Sequence, residues 1–239
     1  MLDLYIDTAD VAEWDALMPT GLFTGITTNP LLAHRAGLDY PAIEWGVLAR
    51  RAADLGAREL MGQVYGPPES YADFAGALFE HGRAAGIATV VKVPLTDAGI
   101  RQMPKVRALG GPMLATAAYD TKQMFIATQL GAAYIAPYFG RMLEMGLDAE
   151  QALARMRTIG QTAAAGSGRG TRILVASLRD TEQLVRLAAA GQDCFTLAPK
   201  VARALLFDAN TLEAAAQFEE AARPKAGAPK AGAPKAEAK

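Results

Sequence analysis

The sequence predicts a (β/α)8 barrel followed by one additional helix. Eight short apolar segments alternate with helical ones within about 210 residues, and polar residues recur where the apolar segments end. Strands separated by helices pair in parallel through right-handed crossovers, and eight such units close into a barrel. A doubly wound open sheet is the alternative. It usually has fewer strands, and the first strand–helix turn lacks the GxGxxG loop of dinucleotide-binding sheets.

The strands are predicted from runs of apolar, β-branched and aromatic residues. Residues Ala88 to Pro94 include three valines, and this composition is typical of a strand buried on both faces. Pro94 then ends the strand because it cannot continue the hydrogen-bond ladder. The predicted strands cover residues 2–7, 23–28, 59–65, 88–94, 112–117, 133–138, 171–177 and 194–197.

Helical segments follow these strands. Asp10 is a candidate N-cap for the first helix, and Pro104 is expected to interrupt the helix after the fourth strand. Residues 223–239 form a basic Lys/Ala/Pro/Gly tail that is predicted to be disordered, which leaves 1–222 as a catalytic barrel with a C-terminal helix. After the first, the helices are predicted near residues 41–55, 71–85, 96–109, 121–130, 149–165, 180–190, 199–207 and 210–222.

Composition restricts the functional class. The net charge of −1 gives no electrostatic reason to expect nucleic acid or an anionic membrane as a partner. The single cysteine, Cys194, excludes a disulfide framework and favours a reducing compartment. No apolar run approaches the roughly 20 residues of a membrane span, and the N-terminus lacks the features of a signal peptide. We therefore predict a soluble, cytoplasmic protein.

Lys92 lies near the C-terminal end of the valine-rich fourth strand. Burial disfavours the charged form of a lysine and lowers its pKa. Lowering the pKa from about 10.4 by about three units costs roughly 4 kcal/mol and makes the amine a usable nucleophile. We predict a Schiff-base lysine. The alternative is a lysine that extends out of the strand end or pairs with a carboxylate.

Polar residues lie near the C-terminal ends of seven predicted strands, where barrels of this class carry their chemistry. Each has a structural explanation when taken alone, such as helix capping by Asp7 or a turn at Asn29. A closed barrel would direct all of them toward one pocket, and this favours a functional role for Lys92. The seven residues are Asp7, Asn29, Gln63, Lys92, Thr116, Tyr138 and Ser177.

Arg141 and Arg179 follow the sixth and seventh strands, and Ser177 would lie between them in a closed barrel. Arginine makes bidentate contacts to phosphate, and loops after the late strands often bind phosphate in this fold. We predict an anion-binding position; the alternative for each arginine is a surface charge. His34 and His81 are isolated, so no metal site is predicted, and the absence of Walker or dinucleotide motifs predicts no cofactor.

Four segments resemble the transaldolase family in the same order along the chain, over about residues 2–222. The combination is specific, above all the pair Thr-Thr-Asn-Pro and Lys-Val-Pro. The resemblance implies the (β/α)8 fold and a Schiff base on Lys92. The segments are LYIDTA at 4–9, GITTNP at 25–30, VKVP at 91–94 and APYFGR at 136–141.

Two positions resemble the fructose-6-phosphate aldolase-like subgroup. Transaldolases have a glutamate on the third strand and a phenylalanine in the sixth-strand motif, whereas this chain has Gln63 and Tyr138. The resemblance implies reversible cleavage of fructose 6-phosphate to dihydroxyacetone and glyceraldehyde 3-phosphate, or joining of related ketones and aldehydes. One alternative is a transaldolase of the pentose phosphate pathway, which transfers dihydroxyacetone between sugar phosphates. The other is a non-catalytic sugar-phosphate-binding barrel.

The resemblance also implies roles for individual residues. Lys92 attacks the ketone, and Tyr138 transfers protons with a water held by Gln63 and Thr116. Asp7 helps to orient the lysine and the substrate hydroxyls. The phosphate of the aldehyde partner is held by the two arginines and the serine between them. The implied substrate-binding residues are Thr28, Asn29, Arg141, Ser177 and Arg179.

The predicted helix at residues 210–222 has an apolar face with no obvious place on a completed barrel. Small aldolases of the family form rings of five that pair as decamers, so the resemblance implies a homo-oligomer, either a pentamer or a decamer. The other expected partners are a small-molecule sugar phosphate and a ketone donor. No nucleic acid or membrane partner is expected.

Overall fold

A computed structural model describes residues 2–168 and 170–223 of the chain. The described residues form eight short parallel strands. Most strand residues are buried, as expected for a parallel sheet covered on its outer face by helices. The strands are β1 (Asp3–Asp7), β2 (Gly25–Thr27), β3 (Glu59–Gln63), β4 (Ala88–Pro94), β5 (Met113–Ala118), β6 (Tyr134–Pro137), β7 (Arg172–Ile173) and β8 (Cys194–Leu197).

The strands are arranged as a closed barrel. Their order is β7-β6-β5-β4-β3-β2-β1-β8, and every neighbouring pair is parallel. The ends meet just after β7, where the amide of Val175 donates to the carbonyl of Cys194 at 2.9 Å. The amide of Thr196 donates to the carbonyl of Val175, also at 2.9 Å. This closure confirms the predicted (β/α)8 fold and excludes the open sheet.

The helices lie between the strands, and several begin at side-chain caps. Asp10 caps the first helix, as predicted, by accepting from the amide of Ala12. Asp180 caps the helix after β7 in the same way. The helices among the described residues are α1 (Val11–Leu17), α2 (Pro30–Arg35), α3 (Trp45–Asp54), α4 (Tyr71–Ala85), α5 (Asp97–Ala108), α6 (Gln123–Gln129), α7 (Phe139–Glu144), α8 (Ala149–Ser167), α9 (Thr181–Ala189), α10 (Pro199–Leu205) and α11 (Ala209–Ala222).

Two features differ from the sequence prediction. The helix after β4 was expected to be interrupted at Pro104, but α5 continues through it. Pro104 lies on the exposed face of the helix, where the carbonyl that loses its amide partner can be hydrated. In addition, the short helices α2 and α7 occupy segments for which no helix was predicted. Both helices lie directly after strand ends, and both contribute to the site described below.

Alternating residues of the strands fill the barrel interior. Val90 of β4 packs in a buried layer with Tyr5, Met61 and Leu114. Because side chains alternate along a strand, Lys92 points to the same interior face as Val90, two residues closer to the C-terminal end. The alternation of side chains along β4 therefore places the amine of Lys92 inside the barrel, on the C-terminal side of an apolar layer.

The chain divides into two compact units, with the boundary after Ala204. The second unit contains α11, whose N-cap is Asp208; the side chain of Asp208 accepts from the amide of Thr211. Leu212 and Phe218 of this helix are exposed. The helix predicted at 210–222 is confirmed, whereas the tail from residue 224 onward lies outside the described residues.

Candidate active site

The amine of Lys92 is the central group of the site. The residue is 4 % exposed, and Nζ donates a hydrogen bond of 2.9 Å to the main-chain carbonyl of Thr28. Burial lowers the pKa of Lys92, and the nearby carboxylate of Asp7 acts in the opposite direction. Desolvation is the larger cause, so a larger fraction of the amine is neutral, and therefore nucleophilic, than in an exposed lysine.

Lys92 forms part of the wall of a cavity at the C-terminal end of the barrel, the end at which (β/α)8 enzymes carry their active sites. The cavity has a volume of about 100 Å³ and is partly enclosed. Eight of the residues predicted for the site meet there, contributed by six different strands or the segments after them. They are Asp7, Asn29, Lys92, Thr116, Tyr138, Arg141, Ser177 and Arg179.

Tyr138 faces the cavity from the end of β6. Its hydroxyl lies 3.3 Å from the hydroxyl of Thr116 on the neighbouring strand. Burial raises the pKa of Tyr138, and the hydrogen bond with Thr116 partly offsets this effect. The phenol therefore remains protonated near neutral pH and can donate a proton.

The backbone around Tyr138 and Thr116 has unusual conformations. The pairing of β5 with β6 shifts register between Ala115 and Ala118, and Ala117 has a φ of 59°. Ser177 has a φ of 66°. A positive φ is costly for a residue with a Cβ atom and is concentrated at functional sites. Ser177 lines the cavity, and Ala117 directly follows Thr116, which also lines it.

Gly140 brings the start of α7 close to the segment that follows β7. Its amide donates to the carbonyl of Ser177 at 3.1 Å, and a Cβ atom at this position would lie 2.1 Å from that carbonyl oxygen. Only glycine allows this approach. The contact places Arg141, the next residue, beside Ser177 at the cavity.

Three arginines line the cavity and make its mouth cationic. The guanidinium of Arg141 lies 4.9 Å from the ring centre of Tyr138 and donates to the hydroxyl of Tyr119 at 3.4 Å. Arg179 forms an ion pair of 2.8 Å with Glu144. Arg35, at the end of α2, has no carboxylate partner among the described residues. The mouth can therefore bind an anionic group.

Three of the residues predicted for the site make contacts of different kinds in the structure. The side chain of Asn29 caps α2 by accepting from the amide of Leu32 at 3.0 Å, and Asn29 also lines the cavity. Thr28 binds Lys92 through its main-chain carbonyl, and its buried hydroxyl has no partner among the described residues. Gln63 is paired in register with Lys92, but its side chain is not among those lining the cavity.

Sequence reasoning missed three residues of the site. Arg35 lies on α2, a helix too short to produce a clear periodic pattern. Thr27 and Thr196 lie in apolar strands, where threonine is a common strand residue. In the structure, Thr27 donates to Asp7 at 2.7 Å, and its hydroxyl lies 2.6 Å from that of Thr196. The only available signal was the position of Thr27 beside Thr28 and Asn29 in the GITTNP segment.

The described residues contain no cluster of three or more His, Cys, Asp or Glu side chains suited to a metal ion. Cys194 is buried below the cavity layer, and burial raises the pKa of its thiol to about 12, so it is not a nucleophile near neutral pH. Within residues 2–168 and 170–223, no helix has the length and apolar character needed to cross a membrane.

The fold is also found in solved structures of low sequence similarity. One is a putative lactate oxidase of Pediococcus acidilactici, with a TM-score of 0.55, 15 % identity and coverage of 84 % of this chain. Another is an arginine-to-lysine mutant of flavocytochrome b2, with a TM-score of 0.56, 12 % identity and coverage of 91 %. This chain spans 64 % and 62 % of those chains, respectively, and the likeness concerns the fold alone.

Closer relatives are found by sequence. A probable transaldolase of Phenylobacterium zucineum is 33 % identical over 211 residues, which cover 85 % of this chain and 88 % of the relative. A probable transaldolase of Rhodospirillum centenum is 32 % identical over 222 residues, covering 91 % and 89 %. The profile of the family described as Transaldolase/Fructose-6-phosphate aldolase matches residues 75–232. These matches show that the chain, whose barrel cavity contains the lysine, tyrosine and arginines described above, belongs to the transaldolase/fructose-6-phosphate aldolase family.

Proposed function

We propose that this protein is a Schiff-base enzyme that transfers a dihydroxyacetone unit between sugar phosphates. The observation that carries the proposal is the buried amine of Lys92, which lies in a polar cavity without an ion-pair partner among the described residues. The names of the relatives favour transfer over simple cleavage as the main activity.

The reaction begins when the neutral amine of Lys92 attacks C2 of a ketose phosphate. Loss of water from the carbinolamine gives a cationic imine. Removal of the C4 hydroxyl proton then breaks the C3–C4 bond, which releases an aldose phosphate and leaves an enamine on the lysine. The enamine attacks the carbonyl carbon of a second aldose phosphate, and hydrolysis of the new imine restores the free amine.

Two neighbours support these steps. Tyr138 is a protonated phenol in hydrogen-bond range of Thr116, so it can donate a proton to the leaving water and later recover one. The carboxylate of Asp7 faces the same cavity and acts electrostatically on Lys92. A negative charge there stabilises the cationic imine more than the neutral amine, and such differential stabilisation lowers the barrier.

The cationic mouth is suited to the phosphate end of the sugar. Arg141 and Arg179 lie on one side of the barrel, with Ser177 beside them. Arginine binds phosphate through paired, charge-assisted hydrogen bonds. Arg35 reaches the mouth from α2, on the far side of the barrel, and adds a third cation.

The proposal is tested by trapping the imine. The protein is incubated with dihydroxyacetone and sodium borohydride, digested and analysed by mass spectrometry. A reduced adduct is expected on Lys92, while the exposed lysines Lys105 and Lys122 serve as internal controls and stay unmodified. A protein without an adduct on Lys92 would exclude both transfer and cleavage through an imine, and would favour a non-catalytic sugar-phosphate-binding barrel.

Cleavage of fructose 6-phosphate is the second candidate function. It is favoured by Gln63 and Tyr138, the two positions that resemble the aldolase-like subgroup. Glutamine cannot act as a carboxylate base, and a nearby phenol can protonate the enamine, so that hydrolysis releases dihydroxyacetone. Adding erythrose 4-phosphate to fructose 6-phosphate separates the two activities. Product formation that requires this acceptor indicates transfer, and formation without it indicates cleavage.

The role of position 63 is tested with Gln63→Glu. A carboxylate on the third strand should raise the ratio of transfer to cleavage, measured from the products in the presence of both sugars. Gln151→Glu on helix α8 is the matched control, since it makes the same chemical change at an exposed position on the outer helices. An unchanged ratio in Gln63→Glu would remove this residue from the choice between the two reactions.

We also propose that the protein is a homo-oligomer, either a pentamer or a decamer, that acts on small-molecule sugar phosphates. The exposed apolar residues of α11, including Leu212 and Phe218, support an association that covers this helix. Analytical ultracentrifugation should give a mass of five or ten chains. A monomer at micromolar concentration would contradict this proposal without affecting the chemistry at Lys92.

A further inference from the structure

Three oxygen atoms, two of them on buried threonines and one on the half-buried Asp7, form a hydrogen-bonded line along the barrel wall beside the cavity. Thr27 Oγ1 donates a hydrogen bond of 2.7 Å to Asp7 Oδ1 and lies 2.6 Å from Thr196 Oγ1. The three residues come from the adjacent strands β2, β1 and β8. Thr27 is fully buried, Thr196 is nearly so, and Thr196 and Asp7 line the cavity.

The chemistry of these groups fixes the direction of the hydrogen bonds. A carboxylate oxygen can only accept, so the single hydroxyl proton of Thr27 is used in the bond to Asp7. The bond between the two threonine hydroxyls therefore requires Thr196 as the donor. With its proton directed at Thr27, the hydroxyl of Thr196 can offer only acceptor lone pairs to the cavity.

We propose that Thr196 is a substrate-binding residue that accepts a hydrogen bond from a sugar hydroxyl, and that Thr27 and Asp7 set this polarity. The inference rests on the proposed function and adds to it a group that selects hydroxylated substrates. A hydroxyl of the substrate would extend the line toward Asp7, and each bond in such a chain polarises the next. An analogue without that hydroxyl leaves the lone pairs of Thr196 without a donor. Because a buried acceptor without a donor costs free energy, the enzyme should react less well with the analogue than with the hydroxylated substrate.

The test compares hydroxylated and deoxy substrates in the wild type and in Thr196→Val, which keeps the shape but removes the hydroxyl. Dihydroxyacetone is paired with hydroxyacetone as donors, and glyceraldehyde 3-phosphate with its 2-deoxy analogue, 3-phosphooxypropanal, as acceptors. For one of these pairs, the preference for the hydroxylated member, measured as a ratio of kcat/KM values, should fall about 10-fold in the variant. Thr196→Ser should retain the preference of the wild type.

Two further variants separate binding of the substrate hydroxyl from effects on folding. Thr89→Val is the matched control, because Thr89 is also a buried strand residue, but its hydroxyl donates to the carbonyl of Leu78 outside the cavity. It should leave both preferences unchanged. Thr27→Val should reduce the same preference as Thr196→Val, and the double variant should show little further reduction, because the two residues act through one line of bonds.

The outcomes distinguish this inference from the proposed function. An adduct on Lys92 of Thr196→Val after borohydride treatment shows that the variant is folded and forms the imine. If that variant then loses activity by the same factor with all four substrates, or keeps both preferences, Thr196 does not bind a substrate hydroxyl and the inference is wrong. A wild-type protein that forms no adduct would instead contradict the proposed function itself.

Discussion

The two ends of the barrel interior both contain polar groups, but they differ in how those groups are paired. At the N-terminal end, the hydroxyl of Tyr5 donates to Glu59 at 2.8 Å, and the hydroxyl of Tyr134 lies 3.2 Å from both oxygens of the same carboxylate. Asp3 accepts from Arg58 and Arg172. Each charge at this end has a partner of opposite charge or a donor, as expected where buried polar groups serve the fold.

At the C-terminal end, the pairing is incomplete. The amine of Lys92 has a main-chain carbonyl as its hydrogen-bond partner, and the buried hydroxyl of Thr28 has none among the described residues. Arg35 likewise has no carboxylate partner within that part of the chain. Desolvation without pairing costs stability, but it leaves groups free to react with or bind a ligand. The two ends therefore differ in how their polar groups are paired, and the unpaired groups lie where we propose that the chemistry takes place.

Lys92→Met should have the largest effect, because it removes the proposed nucleophile while keeping a similar volume. We expect a loss of about 10⁴-fold or more in kcat/KM for transfer, together with the loss of the borohydride adduct. Lys105→Met, on the exposed face of α5, is the matched control and should keep full activity. Substantial remaining activity in Lys92→Met would place the chemistry elsewhere.

The lowered pKa of Lys92 also predicts how activity and stability depend on pH. The kcat/KM of the wild type should rise with pH through this pKa, as the neutral amine becomes more abundant. Between the lowered pKa of Lys92 and the ordinary lysine value of 10.5, the unfolded chain binds a proton that the folded protein does not. The free energy of unfolding therefore rises with pH in this window. In Lys92→Met, this contribution to the pH dependence of the free energy of unfolding, measured by urea titration at several pH values, should be absent.

The sequence predicted those features of the C-terminal end that depend on strand periodicity. The bounds of β4 and β8 agree with the prediction, because each is a dense apolar run. The position of Lys92 before Pro94 was therefore sufficient to place an amine at the C-terminal end of the barrel. Tyr138 and Arg141 were placed in the same way, by their distance from the end of the sixth strand.

The parts that depend on contacts between distant residues could not be predicted. The bond between Thr27 and Thr196 joins residues 169 positions apart, on strands β2 and β8, which lie on either side of β1 in the barrel. Its two threonines are indistinguishable in the sequence from ordinary strand residues. Arg35 depends on α2, whose six residues are fewer than the 11 to 18 over which helical periodicity becomes visible. The strained φ of Ala117 likewise left no signal in the composition.

Tyr138→Phe should have the second-largest effect. It removes the phenolic proton donor and keeps the ring under Arg141, so the loss should be about 10²-fold or more in kcat with little change in KM. The free energy of unfolding should change by less than about 1 kcal/mol, because the hydroxyl has only the 3.3 Å contact with Thr116. Stopped-assay kinetics and urea denaturation measure the two quantities. A normal kcat would exclude Tyr138 from proton transfer.

Tyr5→Phe makes the same chemical change at the other end of the barrel. It removes the 2.8 Å bond to Glu59, a hydrogen bond to a charged group, so we expect a loss of about 1.5 kcal/mol or more in the free energy of unfolding. The kcat/KM should be unchanged, since Tyr5 lies below the layer that carries Lys92. A large loss of activity with normal stability would contradict the division between a paired end and a reactive end.

Arg35→Gln should have the smallest effect, and it tests directly whether Arg35 binds the phosphate of the substrate. An exposed guanidinium contributes little to binding, so we expect KM for fructose 6-phosphate to rise about 2- to 5-fold. The change should shrink at high salt, because exposed charges are screened, and it should be absent for dihydroxyacetone, which has no phosphate. Arg101→Gln, an exposed arginine paired with Asp97 on α5, is the control. An equal rise in KM for both substrates would show that Arg35 shapes the mouth of the cavity without binding phosphate, and the cationic end would then consist of Arg141 and Arg179 alone.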